Sequence, residues 1–186
     1  MNNHINESVI IAGFGGQGII LAGKLLAQTA MNSGKEVTFI PAYGAEVRGG
    51  TSNCTVVISD EPIACPVVAS PDSLIAMSKA SIRKFAADVK SGGLIVLNSS
   101  QIDSPPQLDS SIKLISIPID RLAIELGSPK SSNMVAIGAY LGIKGILSVE
   151  QATKSLAEVL SERYQKTIPV NSEALRRGAE FARTGK

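Results

Sequence analysis

Two clusters in this chain carry residue types and spacings from which chemistry can be built. The first is Gly13-Phe14-Gly15-Gly16-Gln17-Gly18. It follows the apolar, β-branched run Val9-Ile10-Ile11 and precedes a long apolar-periodic segment. Gly13, Gly15 and Gly18 fit G-x-G-x-x-G, which permits a tight strand-to-helix turn and close approach of another group. The N–H groups at the start of such a helix favour an anion or a carbonyl oxygen. The second cluster is Pro41-Ala42-Tyr43-Gly44-Ala45-Glu46-Val47-Arg48-Gly49-Gly50. Glu46 and Arg48 stand two apart, so in an extended backbone they project to one side. Gly44, Gly49 and Gly50 let that backbone turn sharply. Arg48 would offer a planar fork to a carboxylate, phosphate or carbonyl. The competing reading is a solvated loop with an exposed ion pair worth at most about 1 kcal/mol.

The glycine cluster and the run overlapping it each suggest a nucleotide, and the flanking residues argue against it. A dinucleotide fold needs an acidic residue roughly twenty positions on, at the carboxyl end of the second strand. Here that strand reads Glu36-Val37-Thr38-Phe39-Ile40-Pro41, so Glu36 stands at the wrong end. Gln17 is also foreign to that motif. The run from Gly18 to Gly23-Lys24 imitates a phosphate loop, but Leu25 replaces the Ser or Thr that would hold magnesium. A stand-alone nucleotide- or dinucleotide-binding module is therefore the alternative function, not the first.

Other chemistries lack material. Cys54 and Cys65 are the only cysteines, whereas an iron–sulfur cluster takes about four thiolates. His4 is the only histidine, which leaves little for a Ser-His-Asp triad or a His-rich metal site. Net charge is +2 without a basic block, and aromatics are 4% with no Trp. Nucleic-acid binding and anionic-membrane binding thus have neither electrostatic nor stacking support. No apolar run reaches membrane-spanning length and the start lacks a signal-peptide pattern, so the expected location is cytoplasmic.

The elements that must position the two clusters follow from periodicity. Strands are expected at Val9–Ile11, Glu36–Ile40, Asn53–Ser59, Ser73–Met77, Leu94–Leu97 and Lys113–Pro118, with short extended pieces at Ile63–Ala64 and Pro66–Val68. Helices are expected at Ile19–Ala30, Ser81–Val89, Ile119–Leu126, Met134–Ile143, from Ser148 to about Tyr164, and Ser172–Arg183. Gly138 and Gly142, four apart, predict close backbone packing of their helix. Short strands joined by tight turns in the middle require antiparallel pairs, so the sheet is mixed. The expectation is one α/β domain over 1–186: three layers, α/β/α, on a mixed, mainly parallel sheet with a Rossmann-like first strand, turn and helix. Apolar residues at 44% against 18% charged suit a well-covered sheet.

Gly13-Phe14-Gly15-Gly16-Gln17-Gly18 resembles the G-x-G-G-Q-G signature of the gamma subunits of 2-oxoacid:ferredoxin oxidoreductases. Pro41-x-Tyr43-Gly44-x-Glu46-x-Arg48-Gly49-Gly50 is similar to that family's P-x-x-G-x-E-x-R-G-G loop. Ser70-Pro71-Asp72, Glu125-Leu126-Gly127 and Asn133-Met134 fit as well, in the same order. The resemblance implies a subunit of a complex that oxidatively decarboxylates a 2-oxoacid, such as 2-oxoglutarate or pyruvate, to an acyl-coenzyme A. It implies that thiamine diphosphate, magnesium, iron–sulfur clusters and coenzyme A belong to the complex and that this chain alone binds none. It implies alpha, beta and ferredoxin-like delta subunits as partners, and ferredoxin as acceptor. Gly13, Gly15, Gly16, Gln17, Gly18, Tyr43, Gly44, Glu46, Arg48, Gly49, Gly50 and Asn133 are the residues it places at an active site or subunit contact. No residue of this chain is assigned a catalytic role.

Overall fold

The computed structural model describes residues 4–43, 50–104 and 106–186. Among them, six strands make one sheet: β1 (Asn6–Phe14), β2 (Glu36–Tyr43), β3 (Thr51–Ser59), β4 (Ser73–Ala76), β5 (Leu94–Asn98) and β6 (Lys113–Ile117). Their order is β2-β3-β1-β4-β5-β6. β1, β4, β5 and β6 pair in parallel, and β3 runs antiparallel between β1 and β2. The central strands are buried on both faces, which is why Val9–Ala12, Leu74–Ala76 and Leu94–Leu97 read as unbroken apolar runs. β2 lies at the edge, where Pro41 is tolerated because no further strand needs its missing N–H.

The helices divide unequally over the two faces. Val9, Ile11, Cys54, Val56 and Ile58 face α1 (Ile19–Asn32), α3 (Ile119–Glu125), α4 (Ser132–Lys144), α5 (Val149–Val159) and α6 (Ile168–Thr184). Ile10, Ala12, Leu74 and Ala76 face the other way, towards α2 (Lys79–Phe85) and Ile102 in the loop before β6. The architecture is the expected mixed three-layer α/β one, with a thick front layer and a thin back one. Within the front layer, α4 and α6 meet backbone to backbone. A Cβ on Gly138 would overlap the Leu175 carbonyl, and one on Gly178 the Val135 carbonyl. The glycine spacing expected to permit close packing does so.

Several boundaries differ from expectation for physical reasons. β1 begins at Asn6 and β2 runs on to Tyr43, because pairing with β3 extends both strands past their apolar cores. The pieces at 63–64 and 66–68 are not strands; two prolines, Pro62 and Pro66, deprive that segment of donors. The helix opening at Ser148 starts with a capping box between Ser148 and Gln151 but ends at Val159, with a separate 3₁₀ segment at Glu162–Thr167. Similarly, α2 passes into a 3₁₀ turn at Ala86–Asp88. α6 starts at Ile168, earlier than expected, because Pro169 is welcome in a first helical turn.

The amino ends of the central strands are joined by a buried polar network. Glu7, only 6% exposed, accepts from Ser73 Oγ (2.6 Å) and Tyr140 Oη (3.1 Å) and pairs with Lys144 Nζ (2.7 Å). These bonds tie β1 to β4 and to α4. Burial and then the Glu7 charge push the Tyr140 phenol well above its ordinary range, keeping it a neutral donor. Beside them, Asp72 accepts from the Ser8 N–H (2.9 Å) and hydroxyl (2.5 Å) and pairs with Lys90 (2.7 Å). Burial pushes the Asp72 carboxyl up, but Lys90 and the two Ser8 donors outweigh it and hold it below the usual carboxylate range. Its contribution to stability is therefore complete above the unfolded value, about 3.9, and is lost as pH falls through the lower folded value. Chemical denaturation between about pH 5 and pH 2.5 should show a shallower acid limb for Asp72→Asn than for the parent chain. Parallel limbs would contradict this role.

Candidate functional site

β1 delivers the chain to its glycine turn beside β4, at the point where the fold changes side. α1 leaves β1 over the front face and α2 leaves β4 over the back face, so a crevice opens between the two carboxyl ends. Open α/β sheets place ligands at such a switch point. Here a side chain of the turn itself occupies it. The Gln17 carboxamide accepts from the Phe14 N–H (2.7 Å) and donates to the Met77 carbonyl (3.3 Å), joining the ends of β1 and β4. Gly13 must lack a side chain because its Cβ would overlap Gln17 Oε1 and stand 3.0 Å from Met77 Cβ.

The rest of the turn is held in the same way. Gly15 N–H donates to the Gly50 carbonyl (2.8 Å), and Gln17 N–H to Phe14 O (3.2 Å). Gly18 stands at φ +70°, and a Cβ there would lie 2.5 Å from Asn133 Nδ2. Asn133, buried at the start of α4, donates to the Gly18 carbonyl (3.1 Å) and so locks α4 to the entry of α1. Gly16 takes φ +97°, a conformation that favours glycine, and among the described residues nothing lies within 4 Å of a Cβ placed there. It is the exposed tip.

Gly13, Gly15, Gly16, Gln17, Gly18, Gly50 and Asn133 thus form one contiguous constellation. Tyr43 ends β2, 72% exposed, in register with Ser52, which also pairs with Gly13. Tyr43 is therefore two strands, roughly 10 Å, from the turn. Gly44, Glu46, Arg48 and Gly49 lie outside the described residues. Their two roots, Tyr43 and Gly50, both stand at the level of the glycine turn.

A cleft of about 400 Å³ adjoins the tip, lined by Gly16, Gln17, Gln101, Asp120, Lys130 and Ser132. Its polar wall is built from the carboxyl end of β5. Asn98, fully buried, donates to Asp120 Oδ1 (3.0 Å), and Gln101 donates to Oδ2 (2.6 Å). No residue of this wall is among the site residues expected from the sequence. The available signal was a polar residue, Asn98, directly after a buried parallel strand, where such sheets carry their sites.

The geometry decides what this site can do. Phe14 and Gly15 N–H already have protein acceptors, so the turn does not offer those donors to a pyrophosphate. The cysteines do not share a site. Cys54 is buried in β3 against α1, where loss of solvation pushes its thiol up to about 12, and Cys65 is exposed in the following loop. They do not fit the thiolate set of an iron–sulfur cluster. Among the described residues no three His, Cys, Asp or Glu side chains gather as a metal site, and no helix is long and apolar enough to cross a membrane.

A sequence model described as pyruvate ferredoxin/flavodoxin oxidoreductase matches residues 8–181. The chain is 37% identical over 177 residues to the ketoisovalerate oxidoreductase subunit VorA of Methanothermobacter marburgensis, covering 94% of this chain and 36% of that one. It thus spans little more than a third of that relative. The crystal structure of the keto/oxoacid ferredoxin oxidoreductase gamma subunit of Geobacter sulfurreducens superposes with a TM-score of 0.80 at 30% identity, covering 95% of this chain and 98% of that one. A chain of the 2-oxoglutarate:ferredoxin oxidoreductase of Magnetococcus marinus, solved with 2-oxoglutarate, coenzyme A and succinyl-CoA, superposes with a TM-score of 0.87 at 25% identity. The match covers 96% of this chain and 31% of that one.

The Gln17 bridge has a direct test. Gln17→Glu keeps the acceptor for Phe14 N–H but, when ionised, sets an oxygen against the Met77 carbonyl. The variant should lose about 1–2 kcal/mol at neutral pH. Its deficit should shrink as pH falls through the introduced carboxyl's raised value, because the protonated acid can again donate. A deficit independent of pH, or none, would contradict the bridge.

Proposed function

The chain belongs to the pyruvate ferredoxin/flavodoxin oxidoreductase family, and on that premise we propose that it is the gamma-type subunit of a 2-oxoacid:ferredoxin oxidoreductase. The complex would oxidatively decarboxylate a 2-oxoacid to an acyl-coenzyme A and pass the electrons to ferredoxin. One observation carries this reading. The same fold accounts for 98% of a gamma subunit in one relative and for about a third of a longer chain in two others, at 36% and 31%. A domain found both free and covalently joined to further polypeptide is a part that works against that polypeptide. Partner alpha, beta and delta subunits are the proposed source of the thiamine diphosphate, magnesium and iron–sulfur clusters.

Within the complex, the role of this chain is to position. The Gln17 and Asn133 contacts fix the glycine turn, the Gly15–Gly50 bond holds one root of the 44–49 segment, and the pairing of Tyr43 with Ser52 holds the other. From those roots Glu46 and Arg48 would reach the catalytic subunits, with the Arg48 fork set on a carboxylate, phosphate or carbonyl across the contact. The relatives' names span ketoisovalerate and 2-oxoglutarate, so the proposed substrate is the 2-oxoacid class, with pyruvate included.

The purified chain, given pyruvate, 2-oxoglutarate or ketoisovalerate with coenzyme A, thiamine diphosphate, magnesium and a viologen acceptor, should show no turnover. Co-expressed with its catalytic subunits it should complete an active complex. In that complex Arg48→Lys, which keeps the charge but loses the fork, should reduce activity at least tenfold while the isolated variant melts as the parent does. Turnover by the verified single chain would overturn the subunit reading. Full activity of both Arg48→Lys and Arg48→Ala would return the 44–49 segment to plain surface.

A further inference from the structure

The back face of the sheet is finished on one half only. Ile10, Ala12, Leu74 and Ala76 are covered by α2 and the loop before β6. Residues directly opposite in register share a face, so Asn53 and Thr55 of β3 lie on the back with Ala12 and Ile10, and Ala42 and Ile40 of β2 lie with them. Phe14 continues the same row at the end of β1. Among the described residues, none of β2 or β3 joins the apolar cluster of that face. Phe14 is 39% exposed and Ile40 is 40% exposed, and Ala42 is exposed beside them.

We propose that this half-face, centred on Ile40, Ala42, Thr55 and Phe14, is the surface on which a catalytic subunit of the complex packs. The inference rests on the gamma-subunit reading. Three features specify the occupant. Its four central residues, Phe14, Ile40, Ala42 and Thr55, are uncharged, which suits an apolar protein surface rather than an acidic or basic one. It is continuous with the glycine turn through Phe14, so whatever meets the turn also meets the sheet. In relatives where this domain is about a third of the chain, further polypeptide is covalently joined to it and needs a face to pack on. Pro41 in the edge strand removes a donor that an added strand would need, so the partner packs on the face and does not extend the sheet.

The test uses the chain co-expressed with its catalytic subunits and read by affinity and co-elution. Ile40→Glu and Ala42→Glu place a charge on the patch, and Met31→Glu places one at a 57% exposed site on α1 as a control. The isolated variants should melt as the parent does. Ile40→Glu and Ala42→Glu should weaken association at least tenfold, while Met31→Glu associates as the parent does. Parent-like association of both patch variants would overturn the assignment of the face while leaving the subunit reading intact. Failure of the parent chain itself to associate would overturn the subunit reading. A parent chain that dimerises in sedimentation, with the dimer lost in Ile40→Glu, would make a second copy the occupant and overturn the proposal.

Discussion

The site depends on one carboxamide. Gln17 turns its side chain back into the crevice between β1 and β4 and bonds to both strand ends. Everything near it follows from that choice. Gly13 has to be glycine to leave room for Gln17 Oε1, and Gly18 has to be glycine both for its positive φ and for the Asn133 amide pressed against it. The Gly15–Gly50 bond then ties the turn directly to one root of the 44–49 segment. A motif that elsewhere opens a pocket for phosphates is here closed by its own sequence, and becomes a mount.

Mounting needs a stiff base, and the front layer supplies it. α4 brings Asn133 to the turn, and its own position is set by backbone contact with α6 at Gly138 and Gly178 and by the Glu7–Tyr140–Lys144 network at the opposite end of the strands. The helix is thus held at both ends, by a hydrogen bond to the glycine turn and by a buried charge cluster at the base of β1. The thick front layer and the half-finished back face are two aspects of one design: stiffness on one side, surface left for another chain on the other.

Much of this was legible from residue pattern. Continuous β-branched runs marked the central strands, alternation marked β3, and Ser148 with Gln151 marked the start of α5, because these patterns encode local burial and capping directly. The family resemblance groups the glycine cluster with Asn133, and the structure brings them into contact. What could not be read was partnership at a distance. Nothing local says that Gln17 reaches Met77, sixty residues on, or that Asn98 holds Asp120 in the wall of the cleft. Nor does helical periodicity reveal that the run after Ser148 breaks at Leu160, where the backbone turns extended before the pattern ends.

The central claim is that the glycine turn is held by the protein itself and is not waiting for a nucleotide. Amide hydrogen exchange on the free chain tests it most directly. With Phe14 N–H on Gln17 Oε1 and Gly15 N–H on Gly50 O, both amides should already exchange slowly without any ligand, and NADH, NADPH or ATP should leave their rates unchanged. Fast exchange at Phe14 and Gly15 in the free chain, slowed by any of these nucleotides, would contradict the account.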